Sequence, residues 1–321
     1  MATPVSPYAI PSTIDSTILN TTVAEYRGRL MDNAYNSNVI LRLLGNSDAK
    51  EVIDGGASIV ESLIESEQDE GGFYLGADVL NNTQPNTQTM VEYKWQNVYE
   101  PIVISRDEER SNSGDAHKIL KLVSTKMLLS EKAIFKRMES ALSKPVAGAN
   151  NLEDLETICD TGTLGSINGA TDTFWQATET ASGAFATQGL SDMGTGFYAV
   201  SGSATDENPD TIITTKTIFK KYEDTRLPLQ RIGNADLTAN AGFRNLTFKG
   251  VPIVYGNEIQ SGLMFMVNTN FLKLYVDSMT DFITTDFITP SNQTVRVAYI
   301  LWRGAFGTNN RRRQLKLTGI S

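Results

Sequence analysis

An α+β fold is predicted by three observations: strand-like segments gathered before residue 104, one uninterrupted helical stretch from His117 to Lys144, and short strands around a helix after Asp210. The first two stretches have different periods, about 2 and about 3.6 residues, so one kind of layer cannot serve both.

The strand-like part comes first. Ala57-Ser-Ile-Val-Glu-Ser-Leu-Ile-Glu-Ser66 and the stretch from Met90 to Ile104 are rich in β-branched and aromatic residues with imperfect alternation. They predict the two arms of a hairpin. Between them Glu67 to Thr89 is polar and contains Gly, with an isolated Phe73, Tyr74 and Leu75 cluster. A connection of that length exceeds ordinary hairpin loops. A lone two-stranded ribbon is marginal in water. It must fold back on its own domain or lie on a neighbouring molecule, and its polar middle, which supplies no core, favours the neighbour.

The helix follows. Asn112, Ser113 and Asp115 offer N-cap oxygens, and no Gly or Pro interrupts His117 to Lys144. Leu120, Val123, Met127, Ile134, Met138 and Ala141 recur at three- and four-residue intervals with one gap of seven, which makes one apolar stripe. The charged residues, Glu131 and Glu139 among them, fall mostly off that stripe. Pro145 ends the run. At about 1.5 Å per residue this is a rod of roughly 40 Å.

Beyond Pro145 the composition shifts to Gly, Ala, Thr and Asn. Leu164 to Trp175 predicts a turn followed by an aromatic anchor, and Ala177 to Ser203 predicts loop with short strands. Asp210 to Thr215 reads as a buried strand. Lys216 to Arg226 reads as a helix with Ile218, Phe219 and Tyr222 inward, stopped before Pro228. Leu246 to Tyr255 forms two strands about Lys249-Gly250, and Leu263 to Val267 is another. Asn268 to Tyr275 turns into a short helix or a further strand. Thr294 to Arg303 and Arg313 to Ile320 are expected to pair with each other. This half is an α+β or mixed α/β domain.

Composition bounds the function. With 40% apolar and 20% charged residues over 321 positions, the chain suits a soluble globular protein. The first residues lack the pattern of a signal peptide, and no apolar run approaches a membrane span. A single cysteine, Cys159, excludes an intramolecular disulfide framework and suggests a reducing compartment during folding. A net charge of -9 argues against a nucleic-acid reader, whose affinity rests on concentrated positive charge, but not against a protein that encloses nucleic acid.

Catalytic patterns are hard to find. His117 is the only histidine, at the head of a long helix, and reads as solvated. One Cys and one His cannot make a zinc centre. Glu67-Gln-Asp-Glu70 lacks the ligand spacing of a calcium loop and reads as a solvated acidic tip, with a lysine patch or a weak divalent ion as the alternative. Gly194-Thr-Gly imitates the start of a dinucleotide fingerprint, but no helix is expected to follow it. A carboxylate pair stays open, since any two of the 37 acids could meet in space. Arg311, Arg312 and Arg313 form the sole basic cluster, open to three readings: a solvated turn, ion pairs across a subunit boundary, or contact with nucleic acid.

The order of these pieces is similar to one family. A helix around Val23 to Leu44, then Asp54-Gly-Gly-Ala-Ser-Ile-Val-Glu-Ser-Leu63, the ribbon returning through Val91-Glu-Tyr-Lys-Trp95, Val103 to Gly114 and the long helix resemble the tailed-bacteriophage major capsid proteins of Hong Kong 97-type fold. Leu164-Gly-Ser-Ile-Asn168, Phe174-Trp175, Thr211 to Tyr222, Phe248 to Val254 and Met266 to Leu272 follow in the same order. The resemblance implies an N-terminal arm and short helix (1–54), an extended loop (55–104), a peripheral domain with the spine helix (105–147), an axial domain (148–290) and returning C-terminal strands (291–321). It implies a non-enzymatic virion protein, without cofactor or metal, that assembles in the host cytoplasm as hexamers and pentamers into an icosahedral shell around double-stranded DNA. Implied partners are the chain itself, a separate scaffolding protein, a portal and a decoration protein, with no membrane. Phe73, Tyr74, Leu75, Glu70 and Arg311 to Arg313 are then the expected intersubunit contacts. The tip from Glu67 to Thr89 holds no Lys, so the lysine crosslink of some members has no source there. An encapsulin nanocompartment and a monomeric carboxylate-dependent enzyme are the rival readings.

Overall fold

Two sheets organise the chain, and the long helix lies across the first. The computed structural model describes residues 39–46, 49–66, 71–80, 83, 87–111, 116–146, 148, 150–202, 207–230 and 246–321. In chain order the strands are β1 (Lys50–Ile53), β2 (Ser58–Ile64), β3 (Gln88–Lys94), β4 (Gln96–Ser105), β5 (Thr163–Leu164), β6 (Ile167–Asn168), β7 (Thr178–Ala181) and β8 (Thr211–Thr214). They continue as β9 (Thr247–Phe248), β10 (Val251–Tyr255), β11 (Met264–Val267), β12 (Leu272–Asp277), β13 (Ile283–Thr284), β14 (Val295–Thr308) and β15 (Leu315–Thr318).

The first sheet is built around β14. Its early part runs antiparallel to β4, from Val295 opposite Ser105 to Gly304 opposite Gln96. Its end runs antiparallel to β12, and β1 adds to the far side of β12 in parallel. The spine helix, Ala116–Ser143, packs on β4: Ser130 Oγ donates to Pro101 O at 3.1 Å and Arg137 pairs with Glu100 at 3.1 Å. Val123, Met127, Ile134 and Met138 are buried, as the stripe requires, against a core that includes Ile102, Ile104, Ala298 and Trp302. Phe135 and Leu142 are buried too, which widens the stripe beyond its sequence reading. The expected cap residues Asn112, Ser113 and Asp115 lie outside the described residues.

Two acids on this helix depart from expectation. Glu131 and Glu139 are buried. The Glu139 carboxylate accepts the backbone N–H groups of Ile40 and Leu41 at 3.2 and 3.3 Å, and so satisfies donors in the first turn of the short helix Val39–Asn46. Burial raises the pKa of Glu139, opposed by those same hydrogen bonds. A six-residue helix, Arg106–Ser111, starts on a capping box: Ser105 N–H donates to Glu108 Oε2 at 3.1 Å, and Asp107 N–H donates to Ser105 Oγ at 3.3 Å.

The second sheet has the order β7-β15-β11-β8-β10-β9. Lys249 and Gly250 both have positive φ in the tight β9–β10 turn. Three expectations fail in this half. Ala177 to Ser203 is not only loop with short strands: β7 is such a strand, but Leu190–Val200 is a helix, with Leu190, Met193, Phe197 and Val200 on one face. Gly196 belongs in it because a Cβ there would sit 2.5 Å from a Leu315 methyl carbon. The helix Lys216–Gln230 continues past Pro228, whose fixed φ suits a helix even though its nitrogen donates nothing. Finally, the last two long strands do not pair. β14 lies in the first sheet and β15 in the second, between β7 and β11. Between Phe271 and Thr308 the chain thus builds on the first sheet before β15 returns to the second, across the boundaries expected at 290 and 291. The ribbon also differs: its second arm splits at Trp95, and β4 joins the first sheet. Only β2 and β3 form the hairpin.

Candidate functional site

The β2–β3 hairpin leaves the body as a regular pair, from Ser58 opposite Lys94 to Ile64 opposite Gln88. Alternation gives it two unlike faces. Ile59, Leu63, Val91 and Tyr93 are buried on the body, while Val60, Ile64 and Met90 face away and are exposed. The root of the ribbon therefore does fold back on its own domain, contrary to the preference for a neighbour. The tip does not. Phe73, Leu75 and Val79 are at least 85% exposed, and Tyr74 and Leu80 more than 60%. Leu75 N–H donates to Asp78 Oδ2 at 2.9 Å, which shapes the tip locally without hiding its side chains. Large apolar groups gathered this way on one exposed segment mark an interaction surface. Val79 and Leu80 escaped the sequence reading, although an apolar pair inside a polar stretch was a visible signal. Glu70 lies outside the described residues.

Polar contacts hold the root. The Tyr93 hydroxyl donates to Thr308 O at 2.8 Å and accepts from Thr308 N–H at 3.1 Å. Tyr275 donates to Glu61 Oε1 at 2.6 Å, and Glu92 N–H donates to Ser166 Oγ at 3.0 Å. Gly165, with φ of +60°, turns the β5–β6 hairpin against the ribbon: a Cβ there would lie 2.7 Å from Val91 Cγ2 and 2.8 Å from Glu92 O. The ribbon is projected by a fixed base.

The arginine triplet divides into three roles. Arg311 is 1% exposed, and its guanidinium donates to the carbonyls of Thr157, Ile158, Gly162 and Trp175 at 2.6 to 3.0 Å. It is neither a solvated turn residue nor an intersubunit contact, because four backbone carbonyls of its own chain already take its N–H groups. A planar fork with five donors suits this work, which a lysine cannot do. Arg313 pairs with Glu207 at 2.8 Å and donates to Val200 O at 3.2 Å, so it too is engaged within the subunit. Arg312 is exposed and reaches only Phe174 O, at 3.0 Å, among the described hydrogen bonds.

Cys159 is buried, and that burial pushes its thiol pKa above the ordinary value, away from the thiolate form. The side chain of His117 lies outside the described residues. Among the described residues no three His, Cys, Asp or Glu side chains are grouped to hold a metal, and no helix is long and apolar enough to cross a membrane.

Comparison with solved structures gives this architecture a relative. The capsid asymmetric unit of cyanophage A-1(L) superposes with a TM-score of 0.65 at 15% identity, over 89% of this chain and 94% of that one. The chain has the Hong Kong 97-type capsid fold. The capsid of a native GTA particle shares this fold at a TM-score of 0.59 and 11% identity, over 87% and 90% of the two chains. A virus-like particle from Pyrococcus furiosus matches at 0.51 and 12% identity, over 92% and 98%. No protein-family model and no curated protein sequence matches the chain. In terms of this capsid fold, β2–β3 is the extended loop and Ala116–Ser143 the spine helix.

Proposed function

We propose that the chain is a structural shell subunit, a major capsid protein whose work is self-association. One observation carries the reading: on a firmly held root, the ribbon presents Phe73, Tyr74, Leu75, Val79 and Leu80 to solvent, where a monomer gains nothing from them. A neighbouring subunit that covers this tip removes its apolar surface from water. In this reading hexamers and pentamers of the chain close an icosahedral virion shell around double-stranded DNA in the host cytoplasm. Scaffolding, portal and decoration proteins are its partners. The fold is one of shells, which supports a structural and non-enzymatic role.

The test is electron microscopy of the purified chain beside a variant lacking Gln68 to Asn86. Closed shells from the full chain and none from the deletion are expected; normal shells from the deletion remove the ribbon from the assembly role. A monomer at all concentrations in light scattering would return the chain to the enzyme reading. The likeness to the Pyrococcus furiosus virus-like particle favours a second reading, an encapsulin compartment that loads protein. Nuclease-protected DNA in purified shells decides for the virion, and a protein cargo decides for the compartment.

A further inference from the structure

Charge is unevenly placed along this chain. Nine carboxylates and no lysine or arginine lie between Glu51 and Tyr93, as many as the whole net charge of -9. The rest of the chain is balanced, and within it the spine helix collects cations. From Leu122 to Lys144 the sequence holds Lys126, Lys132, Lys136, Arg137 and Lys144 against two acids, Glu131 and Glu139. Both acids are turned into the core, 3% and 6% exposed. The charge that this stretch shows to solvent is therefore positive.

Lys132 and Lys136 are exposed, stand one helical turn apart and have no ion pair among the described residues. Arg137, with 63% of its side chain exposed, gives Nη2 to Glu100 and keeps the rest of its fork for solvent. Beside them, between the helix and β4, runs a cleft of about 510 Å³ whose lining includes Lys136, Arg137, Ser140, Asn97 and Asn150. Its one acid, Glu258, is held by Lys144 at 3.3 Å. Among the described residues this face thus combines cations and amide donors, and the carboxylates that border it are already paired. Lysine is depleted where protein meets protein, whereas Lys and Arg gathered along one helix face are the footprint of a phosphate backbone.

We propose that the exposed face of the spine helix, Lys132, Lys136 and Arg137 with the adjoining cleft, binds the phosphate backbone of double-stranded DNA, and is the side of the subunit turned toward the contents of the shell. The orientation rests on the assembly reading; the binding is a property of the single subunit. No base is read, since lysines on flexible stems meet phosphates of any sequence. A net charge of -9 is compatible with this contact because the excess acid lies in the Glu51 to Tyr93 segment. Three cations per subunit hold little alone, but a closed shell repeats them over its whole inner surface.

Binding of a short fluorescent DNA duplex to the full chain, kept below the concentration at which light scattering shows assembly and titrated between ~50 and ~200 mM salt, tests it. Lys132→Gln with Lys136→Gln should weaken binding at least about tenfold at the lower salt and flatten the slope of log affinity on log salt by about 2, equally for unrelated duplex sequences. Lys220→Gln with Lys221→Gln removes the same charge from the helix Lys216–Gln230 and should leave binding near that of the parent. A thermal melt establishes that each variant is folded. Four results overturn the proposal: no binding by the unaltered chain, no loss with the spine pair, an equal loss with the control pair, or binding of poly-glutamate in preference to the duplex, which would make the face a seat for an acidic protein. Assembly is read separately by electron microscopy. If the unaltered chain forms no shells the assembly reading fails, while a selective loss with the spine pair still upholds the phosphate face.

Discussion

Tyr93 and Thr308 exchange two hydrogen bonds through one phenol oxygen, which donates to the Thr308 carbonyl and accepts from its N–H. The two residues are far apart in sequence, one at the root of the ribbon and the other at the last position of β14. Gly307 makes room for the ring, since a Cβ there would lie 2.5 Å from Tyr93 Cζ. Tyr93→Phe keeps the packing and strands two buried backbone groups. It should cost about 1 to 3 kcal/mol, read by denaturant unfolding, and should hasten proteolysis within residues 58–94.

Arg311→Lys is expected to destabilise the fold by at least about 3 kcal/mol, nearly as much as Arg311→Met, because one ammonium cannot reach four diverging carbonyls. A thermal melt checks this. Near-normal stability of the lysine variant would show that charge, not the fork, is what the site uses.

Stability and assembly should separate at the tip. Phe73→Ser, Tyr74→Ser and Leu75→Ser together change residues with no buried contact, so unfolding should shift by no more than about 0.5 kcal/mol. Shell formation, followed by light scattering, should be lost. A variant that assembles normally would relieve these three residues of any role between subunits.

Glu108 gives a pH signature. Its hydrogen bond with Lys126, at 2.9 Å, and then that with Ser105 N–H hold its carboxyl below the ordinary glutamate value. A depressed folded pKa contributes stability that is complete above the unfolded pKa and is lost as pH falls through the folded one. Glu108→Gln should therefore be less stable than the parent at pH 7 and converge with it in acid, by denaturant melts at several pH values. Because both partners are partly exposed, high salt should shrink the difference.

Local periodicity made much of this molecule legible. The spine helix declares itself through its stripe from Val123 to Met138, the strand at Thr211 through its β-branched run, and the β9–β10 turn through Lys249-Gly250. What escaped depends on partners distant in sequence. Leu190–Val200 reads as loop because of Gly194 and Gly196, yet Gly196 is the residue that lets Leu315 approach. Glu139 is acidic on a helix and so reads as solvated, but the helix start it serves lies about a hundred residues earlier. Arg311 looks like one of three equivalent cations, and only the closure of four carbonyls around it sets it apart. Pairing of β14 with β15 was a reasonable expectation from adjacency; the 3₁₀ turn Arg311–Arg313 between them sends each to a different sheet. At the ribbon, composition announced exposure, while the buried face of Leu63 and Tyr93 followed from a pairing register that composition does not encode.

The passage of the chain from β14 through Arg311 into β15 has a mechanical consequence. A pull on the ribbon tip is handed by Tyr93 to the end of β14, a few residues later to the arginine, and through its four carbonyls to the flank of the second sheet. From Tyr93 to Arg311 and beyond, the described links in that path are hydrogen bonds to backbone groups. A container made of such units would swell or contract by swivelling whole subunits and flexing their ribbons, while each body turned as a stiff plate.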